Sequence, residues 1–266
     1  QRIGAALAMN NQSLRHEIAG AAIGALVVLG LKEDSTAPRN GLVQTWGAFV
    51  PRGPADARAE QIAARVGSKY RLPNGSQLVG VIPGPPTVTS NQPEGSVQIL
   101  VRAIATRPNV PTGGSTASPK LDMTDPSNSL QFLLCGYGQA CSIATGTPSN
   151  DRALLLRREA LELSLYTFKY MPNIDSIVVF LPPPVVNGQQ VAGGQAVYLQ
   201  REDVSGFVAR PLRDTLDPRT PTLGSMSARD TTIVNEITAP QRFSYDYTSA
   251  QDGGAVLLLS PITANP

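Results

Sequence analysis

The sequence predicts an α+β fold in which an N-terminal apolar helix precedes a mixed sheet with packed helices and a C-terminal β-hairpin. Residues 149–184 combine a helical pattern with a wholly apolar strand pattern. Residues 77–82 and 96–105 are two further apolar runs of strand type. Phe243, Tyr245 and Tyr247 alternate with polar residues ahead of a Gly-containing turn, and residues 255–259 return as the partner strand of a hairpin. These three observations favour helices packed on one sheet.

The strongest local signal is a helix at residues 153–170. Ser149 or Asn150 precedes it, and either side chain has an oxygen suited to cap the first turn. Pro172 follows it and cannot continue a helix. The apolar face contains Leu154, Leu161, Leu165 and Phe168. The charged residues off that face are Arg157, Arg158 and Glu162.

A strand at residues 174–181 follows this helix. Its six apolar residues, of which four are β-branched, are Ile174, Ile177, Val178, Val179, Phe180 and Leu181. This pattern predicts burial on both faces and an interior place in the sheet. Three prolines at 182–184 end it.

Residues 161–183, LELSLYTFKYMPNIDSIVVFLPP, resemble the closing helix and strand of GerMN domains. That family ends with a helix carrying a Tyr-Thr pair, a Pro-Gly/Asn-Val/Ile-Asp turn and a hydrophobic strand. The matching residues are Tyr166, Thr167, Pro172, Asn173, Ile174, Asp175 and Ile177. GerMN domains are α+β modules of bacterial envelope and sporulation proteins, with no established catalytic residues. The resemblance implies such a domain at 55–184, with a β-rich extension at 185–266 packed on it.

Residues 1–34 predict an apolar anchor or a signal-like helix. Within them, residues 18–31 are 14 consecutive apolar or Gly residues, whereas a full membrane span needs about 20. Basic residues precede this run and acidic residues follow it, which favours an inside N-terminus and an outside C-terminus. The predicted membrane-anchor side chains are Ile18, Ile23, Leu26, Val27, Val28, Leu29 and Leu31. The alternative is a buried Ala/Gly-rich helix of a globular fold or an assembly.

The rest of the chain is less sharply defined. Residues 35–54 are a connector rich in Pro and Gly, and residues 55–70 predict an amphipathic helix. Residues 83–95 and 108–128 are predicted to be long loops. Loops of this length often form interfaces, and a flexible tether is the alternative.

Two further elements are expected near the C-terminus. Ser227 and Asp230 form a variant capping box ahead of a helix. Phe243, Tyr245 and Tyr247 alternate onto one face of the hairpin. Such a ladder either binds a ligand or, as is more common, belongs to the core.

Cys135 and Cys141 are the only cysteines of the chain. Gly136 and Gly138 between them give the loop the freedom to bring the thiols together. A structural disulfide is expected if the domain lies outside the cytoplasm. The alternative is a pair of reduced cysteines in a tight loop.

The composition excludes several functions. The net charge of +2 gives no basis for nucleic-acid binding. His16, the only histidine, lies beside the predicted anchor, so a nucleophile in the body would lack its usual base. No phosphate-binding or zinc-protease motif is present. No catalytic residue, cofactor or metal ligand is predicted, and the protein is expected not to be an enzyme.

Two functions remain. The first is a non-catalytic, membrane-anchored extracytoplasmic accessory or binding subunit of a bacterial envelope complex, held at the cell membrane by the N-terminal helix and bound to protein partners. The alternative is a structural assembly protein, such as a coat or appendage subunit. Long Pro/Gly/Thr loops and few charges favour this alternative.

Overall fold

In the computed structural model the chain has a mixed α/β fold with a nearly closed sheet of nine strands and, within the described residues, four α-helices. The structure describes residues 49–92, 95–108, 120–183, 185–186, 189–190, 194–250 and 253–262. The predicted N-terminal helix and all its anchor residues lie outside these ranges.

The helices are α1 (Ala55–Gly67), α2 (Asn150–Tyr170), α3 (Ser205–Val208) and α4 (Ala228–Thr238). The strands are β1 (Gly80–Gly84), β2 (Thr87–Gln92), β3 (Gly95–Thr106), β4 (Asp122–Thr124), β5 (Ser129–Cys135), β6 (Ser176–Phe180), β7 (Val185–Val186), β8 (Gln189–Gln190), β9 (Gly194–Gln200), β10 (Arg242–Ser249) and β11 (Ala255–Pro261). β7 and β8 form a separate small hairpin, and all the other strands belong to one sheet.

The order of strands explains why the sheet nearly closes. It runs β1-β5-β6-β9-β10-β11-β3-β2, with β4 also paired to β3. The first and last strands of this order, β1 and β2, are joined in sequence by only Pro85 and Pro86. The sheet therefore curls until its two ends meet. The amide of Thr87 donates a 3.1 Å hydrogen bond to the side-chain oxygen of Gln131 on β5. We call this meeting line of β1–β5 with β2–β3 the seam.

The central helix and strand are confirmed. The side chain of Ser149 caps α2 by accepting a hydrogen bond from the amide of Arg152, and the helix ends at Tyr170. β6 lies between β5, to which it is parallel, and β9, to which it is antiparallel. All five residues of β6 are buried. The apolar run therefore forms an interior strand.

Arg201 fixes the end of α2. Its guanidinium donates to the carbonyl oxygens of Phe168 at 2.8 Å and Met171 at 2.9 Å, and also to that of Ile174. The same group lies 5.0 Å from the ring centre of Phe168. A cation at a helix C-terminus satisfies carbonyls that have no partner within the helix. The turn from α2 into β6 is thereby held in place.

Alternate residues of each strand enter two different cores. On β6, Ile177 and Val179 pack in the larger core beneath the helices. Val178 and Phe180 pack in a smaller core on the opposite face of the sheet. The aromatic ladder belongs to this second core, since the rings of Phe180 and Tyr245 are 4.5 Å apart.

The hairpin and the capped helix near the C-terminus are also confirmed. β10 and β11 pair in antiparallel fashion. The hydroxyl of Ser227 accepts from the amide of Asp230 at 3.2 Å and begins α4. The carboxylate of Asp230 does not close the capping box, because it bonds to Arg158 instead.

The prediction of a loop at residues 83–95 is wrong, because β2 lies within it and pairs with β3. The flanking prolines and polar residues resembled a loop, but the Thr-Val-Thr run is well suited to a strand. The predicted loop at 108–128 is also wrong in part. Residues 120–128 contain β4 and a short 3-10 helix at Pro126–Asn128, whereas 109–119 lie outside the described residues.

Two other boundaries differ from the predictions. The helix expected at 55–70 ends at Gly67, where a side chain would overlap Val81 on β1. Tyr70 follows the helix and turns into the core. The strand expected at 77–82 begins at Gly80.

Candidate interaction surface

The predicted disulfide between Cys135 and Cys141 is present, with Cα atoms 4.4 Å apart. The amide of Gly136 donates to the carbonyl of Cys141 at 2.8 Å, and that of Gly138 donates to the carbonyl of Ser142 at 2.7 Å. A side chain at either glycine would overlap Ser142. The glycines therefore matter because the two sides of the loop approach closely.

A buried charge network links α2 to α4 and to the turn after α1. The guanidinium of Arg158 is fully buried and bonds to Asp230 at 2.8 Å and to the phenol of Tyr70 at 2.7 Å. It also donates to the carbonyl of Asp217 at 2.9 Å. Burial lowers the pKa of Arg158, but Tyr70, Glu162 and Asp230 together raise it above its usual value. Arg158 therefore stays charged in the core.

Glu162 is the second centre of this network. It accepts hydrogen bonds from Tyr70 at 2.7 Å and from Lys69 at 3.1 Å. Burial, followed by the negative charge of Glu162, raises the pKa of Tyr70 well above its usual value. The phenol consequently keeps its proton and serves as a donor. The sequence placed Arg158 and Glu162 off the apolar face of the helix, but α2 is covered on that side as well, and both are buried.

Glu159 differs from these paired groups. It is fully buried, and neither carboxylate oxygen has a hydrogen-bond partner within the described part of the chain. Burial, followed by the charge of Glu162, raises the pKa of Glu159 well above its usual value. Burial and the neighbouring charge therefore both favour the protonated form of Glu159.

A cluster of exposed apolar side chains lies on residues 97–100 of β3. We call residues 95–100 of β3, together with β2, the arm. Val97 and Ile99 point to one face of β3 and Leu100 to the other, and they are 53%, 40% and 62% exposed. Because both faces are exposed, the arm is a two-stranded ribbon that leaves the body of the sheet.

A bulge in β3 marks the base of the arm. β11 pairs with Val101 and then with Ala103, so Arg102 is an extra residue in the ladder. No pairing of β11 with residues 95–100 is present within the described chain. The arm therefore extends past the start of β11. A bulge of this kind bends a strand, so the arm and the body take different directions.

An open groove of about 800 Å³ lies at the seam, beside the base of the arm. Its walls contain both apolar and polar side chains. The lining residues are Pro85, Pro86, Gln98, Ile99, Leu100, Val101, Arg102, Asp125, Pro126, Ser127 and Ser129. Met123 on neighbouring β4 is 55% exposed and extends the apolar surface.

No metal centre and no membrane span belong to this surface. Among the residues that the structure describes, no group of three or more His, Cys, Asp or Glu side chains is placed to hold a metal ion. In the same residues, no helix has the length and apolar character needed to cross a membrane. The predicted anchor from Ile18 to Leu31 falls outside them, as does His16.

Sequence reasoning missed the arm. The exposed Val97, Ile99 and Leu100 belong to the run at 96–105, which the sequence assigned to a strand without predicting its exposure. A covered strand and an exposed ribbon share the same apolar pattern, so the run itself did not reveal the exposure. The available signal was the uncharged sequence of the neighbouring strand β2.

No protein-family model matches this chain, and neither a curated protein nor a solved structure matches it. The resemblance of residues 161–183 to GerMN domains therefore stays a prediction.

Proposed function

We propose that the chain is a non-catalytic, membrane-anchored accessory subunit of a bacterial envelope complex, and that the faces of its arm bind a protein partner outside the cytoplasm. The observation that carries this proposal is the exposure of Val97, Ile99 and Leu100 on both faces of one ribbon. Contiguous exposed apolar residues mark interaction sites more often than isolated ones do.

The physical reason is the low stability of a free ribbon. A two-stranded hairpin is marginally stable in water, and three or more strands or a packed face are needed to hold it. Both faces of the arm have exposed apolar side chains, Leu100 on one and Val97 and Ile99 on the other. A partner that covers Leu100 on one side, or Val97 and Ile99 on the other, supplies the missing contact. Burial of each such side chain is worth about 1.5–3 kcal/mol.

The disulfide supports the location. A structural disulfide persists in oxidising compartments and is rare in the cytoplasm. The bond between Cys135 and Cys141 lies in a loop built around two close glycine contacts, at Gly136 and Gly138. The apolar run at 18–31, with basic residues before it and acidic residues after it, supports an N-terminal anchor with the body outside.

The buried network supports a structural role for the charged residues of α2. Tyr70, Arg158, Glu159 and Glu162 are enclosed between helices and sheet, with no exposed surface. Substrates in solvent have no contact with them. These residues stabilise the body from which the arm extends.

The experiment is photo-crosslinking in cells from position 100, where Leu100 is replaced by a benzophenone amino acid. Tyr137 is the matched control, since it is 63% exposed against 62% for Leu100 and lies on the disulfide loop. We expect a discrete adduct with a distinct membrane-fraction protein from position 100 and none from position 137. The proposal fails if position 100 gives no adduct, or if both positions give the same ones.

The alternative, a structural assembly subunit, is favoured by one observation. β2 has no charged residue, and charges are a common means of preventing sheet edges from joining. An assembly subunit would give adducts at multiples of 28.1 kDa from position 100, in soluble particles rather than in membranes.

A further inference from the structure

The sheet has three edge strands, β1, β2 and β4, and they differ in how well their outer edges are protected. β4 is only three residues long and contains Asp122. β1 is five residues long and contains Pro83, which has no amide hydrogen to donate. β2 is six residues long, and its sequence TVTSNQ contains neither proline nor charge. Edge strands are usually protected by prolines, charges or bulges. β2 is therefore the edge that is open to another strand.

The hydrogen-bond pattern shows which groups of β2 point outward. The amide of Val101 donates to the carbonyl of Pro86 at 2.9 Å, so the backbone of Pro86 faces β3. In an antiparallel ladder, residues whose backbone groups face the neighbouring strand alternate with residues whose groups face away. The backbone groups of Thr87, Thr89 and Asn91 consequently face away from β3. Thr87 already donates to Gln131 across the seam, which leaves Thr89 and Asn91.

We propose that the outer edge of β2 pairs with β2 of a second copy of this chain, in antiparallel orientation about a two-fold axis through Ser90. Thr89 of each copy then lies opposite Asn91 of the other, and all the outward backbone groups of these two residues are used. A two-fold contact uses the same patch on both copies and closes upon itself. The two ribbons become one sheet of four strands.

The lack of charge on the arm favours a second copy as the occupant. Neither β2 nor residues 95–101 contain a charged side chain, so two identical arms meet without repulsion. An edge of six residues is about 20 Å long. A contact along so short an edge buries less than the ~800 Å² per partner of a standard interface. Edge pairing alone is therefore expected to give a weak dimer. The joined faces with Val97, Ile99 and Leu100 remain free for the partner. This inference rests on the proposed function in one respect, which is that the faces of the arm are assigned to the proposed protein partner.

The test is a covalent trap at the two-fold axis. Across an antiparallel pair of this type the two Ser90 Cα atoms lie about 4.5 Å apart, within the range that a disulfide spans. Both natural cysteines are already bonded to each other, so Ser90→Cys adds the only free thiol. Ser249→Cys is the matched control, at an exposed serine whose strand is paired to β11 there.

The full chain is purified in one mild detergent, oxidised and run on a non-reducing gel. We expect Ser90→Cys to form covalent dimer at least tenfold faster than Ser249→Cys. Adding Thr89→Pro, which removes an outward amide and leaves the ladder to β3 intact, should return the rate to that of the control. Equal rates for Ser90→Cys and Ser249→Cys, or no effect of Thr89→Pro, would overturn the pairing.

The two proposals fail in different ways. If position 100 crosslinks to a membrane protein but Ser90→Cys traps no dimer, the edge pairing is wrong and the proposed function stands. If Ser90→Cys traps the dimer but position 100 gives no adduct, the dimer is real and the accessory function is wrong.

Discussion

The phenol of Tyr70 donates a 2.7 Å hydrogen bond to Glu162, a residue 92 positions away in the sequence. This bond ties the turn after α1 to the middle of α2, and Lys69 and Arg158 bond to the same carboxylate. Glu159, one turn earlier in the helix, has no such partner within the described residues. The two glutamates therefore predict opposite effects on stability.

We expect Glu159→Gln to stabilise the protein at neutral pH. Burial and the charge of Glu162 raise the pKa of Glu159 in the folded state, whereas in the unfolded state the group ionises above about pH 4.3. The natural chain therefore loses up to about 1.4 kcal/mol per pH unit as the pH rises from there toward the folded-state pKa. Gln cannot ionise, so its advantage should grow from pH 4 to pH 8. Urea unfolding across that range measures it.

Glu162→Gln is the control for this experiment. It removes the carboxylate that Lys69, Tyr70 and Arg158 share, while Arg158 keeps its 2.8 Å bond to Asp230, so we expect a cost of roughly 1–3 kcal/mol. We expect destabilisation at neutral pH. If the difference between Glu159→Gln and the natural chain were constant from pH 4 to pH 8, Glu159 would be ionised or solvated in the folded state.

Ile177→Asp should unfold the protein or destabilise it by more than about 4 kcal/mol. Ile177 is fully buried on the interior strand β6, in the core beneath the helices. An unpaired carboxylate there is costly. Ile177→Val, which removes one methyl group, should cost only about 0.5–1.5 kcal/mol. Denaturant midpoints compare the two variants, and a mild effect of Asp would place this position in contact with solvent.

Removal of the disulfide should have a modest effect. The loop it closes is short, so the double variant Cys135→Ser and Cys141→Ser should lose roughly 2 kcal/mol. Thiol titration of the unfolded, unreduced chain checks the bond itself. We expect no reactive thiol, and a count of two would contradict both the bond and the extracytoplasmic location.

The sequence predicted the central elements because their signals are local. Ser149, the apolar face of α2 and the two-sided apolar run of β6 lie within one segment of the chain. The turn beginning at Pro172 separates helix from strand without reference to the rest of the fold. The capped start of α4 at Ser227 is local in the same way.

The buried network and the arm depend on distant residues. Arg158 resembles a solvated residue until Asp230 and Tyr70 approach it from other parts of the chain. β2 resembles a loop until β3 pairs with it. The candidate surface was therefore not predictable from local patterns, because the exposure of Leu100 depends on how other parts of the chain pack around β3.

Hydrogen exchange tests the central claim most directly. The full chain is compared in two preparations, one purified alone in detergent and one in the native complex drawn from membranes. We predict slower exchange of arm amides at 87–100 in the complex, with the amides of α2 unchanged. Equal exchange of the arm in both preparations would contradict the claim that it is a binding surface.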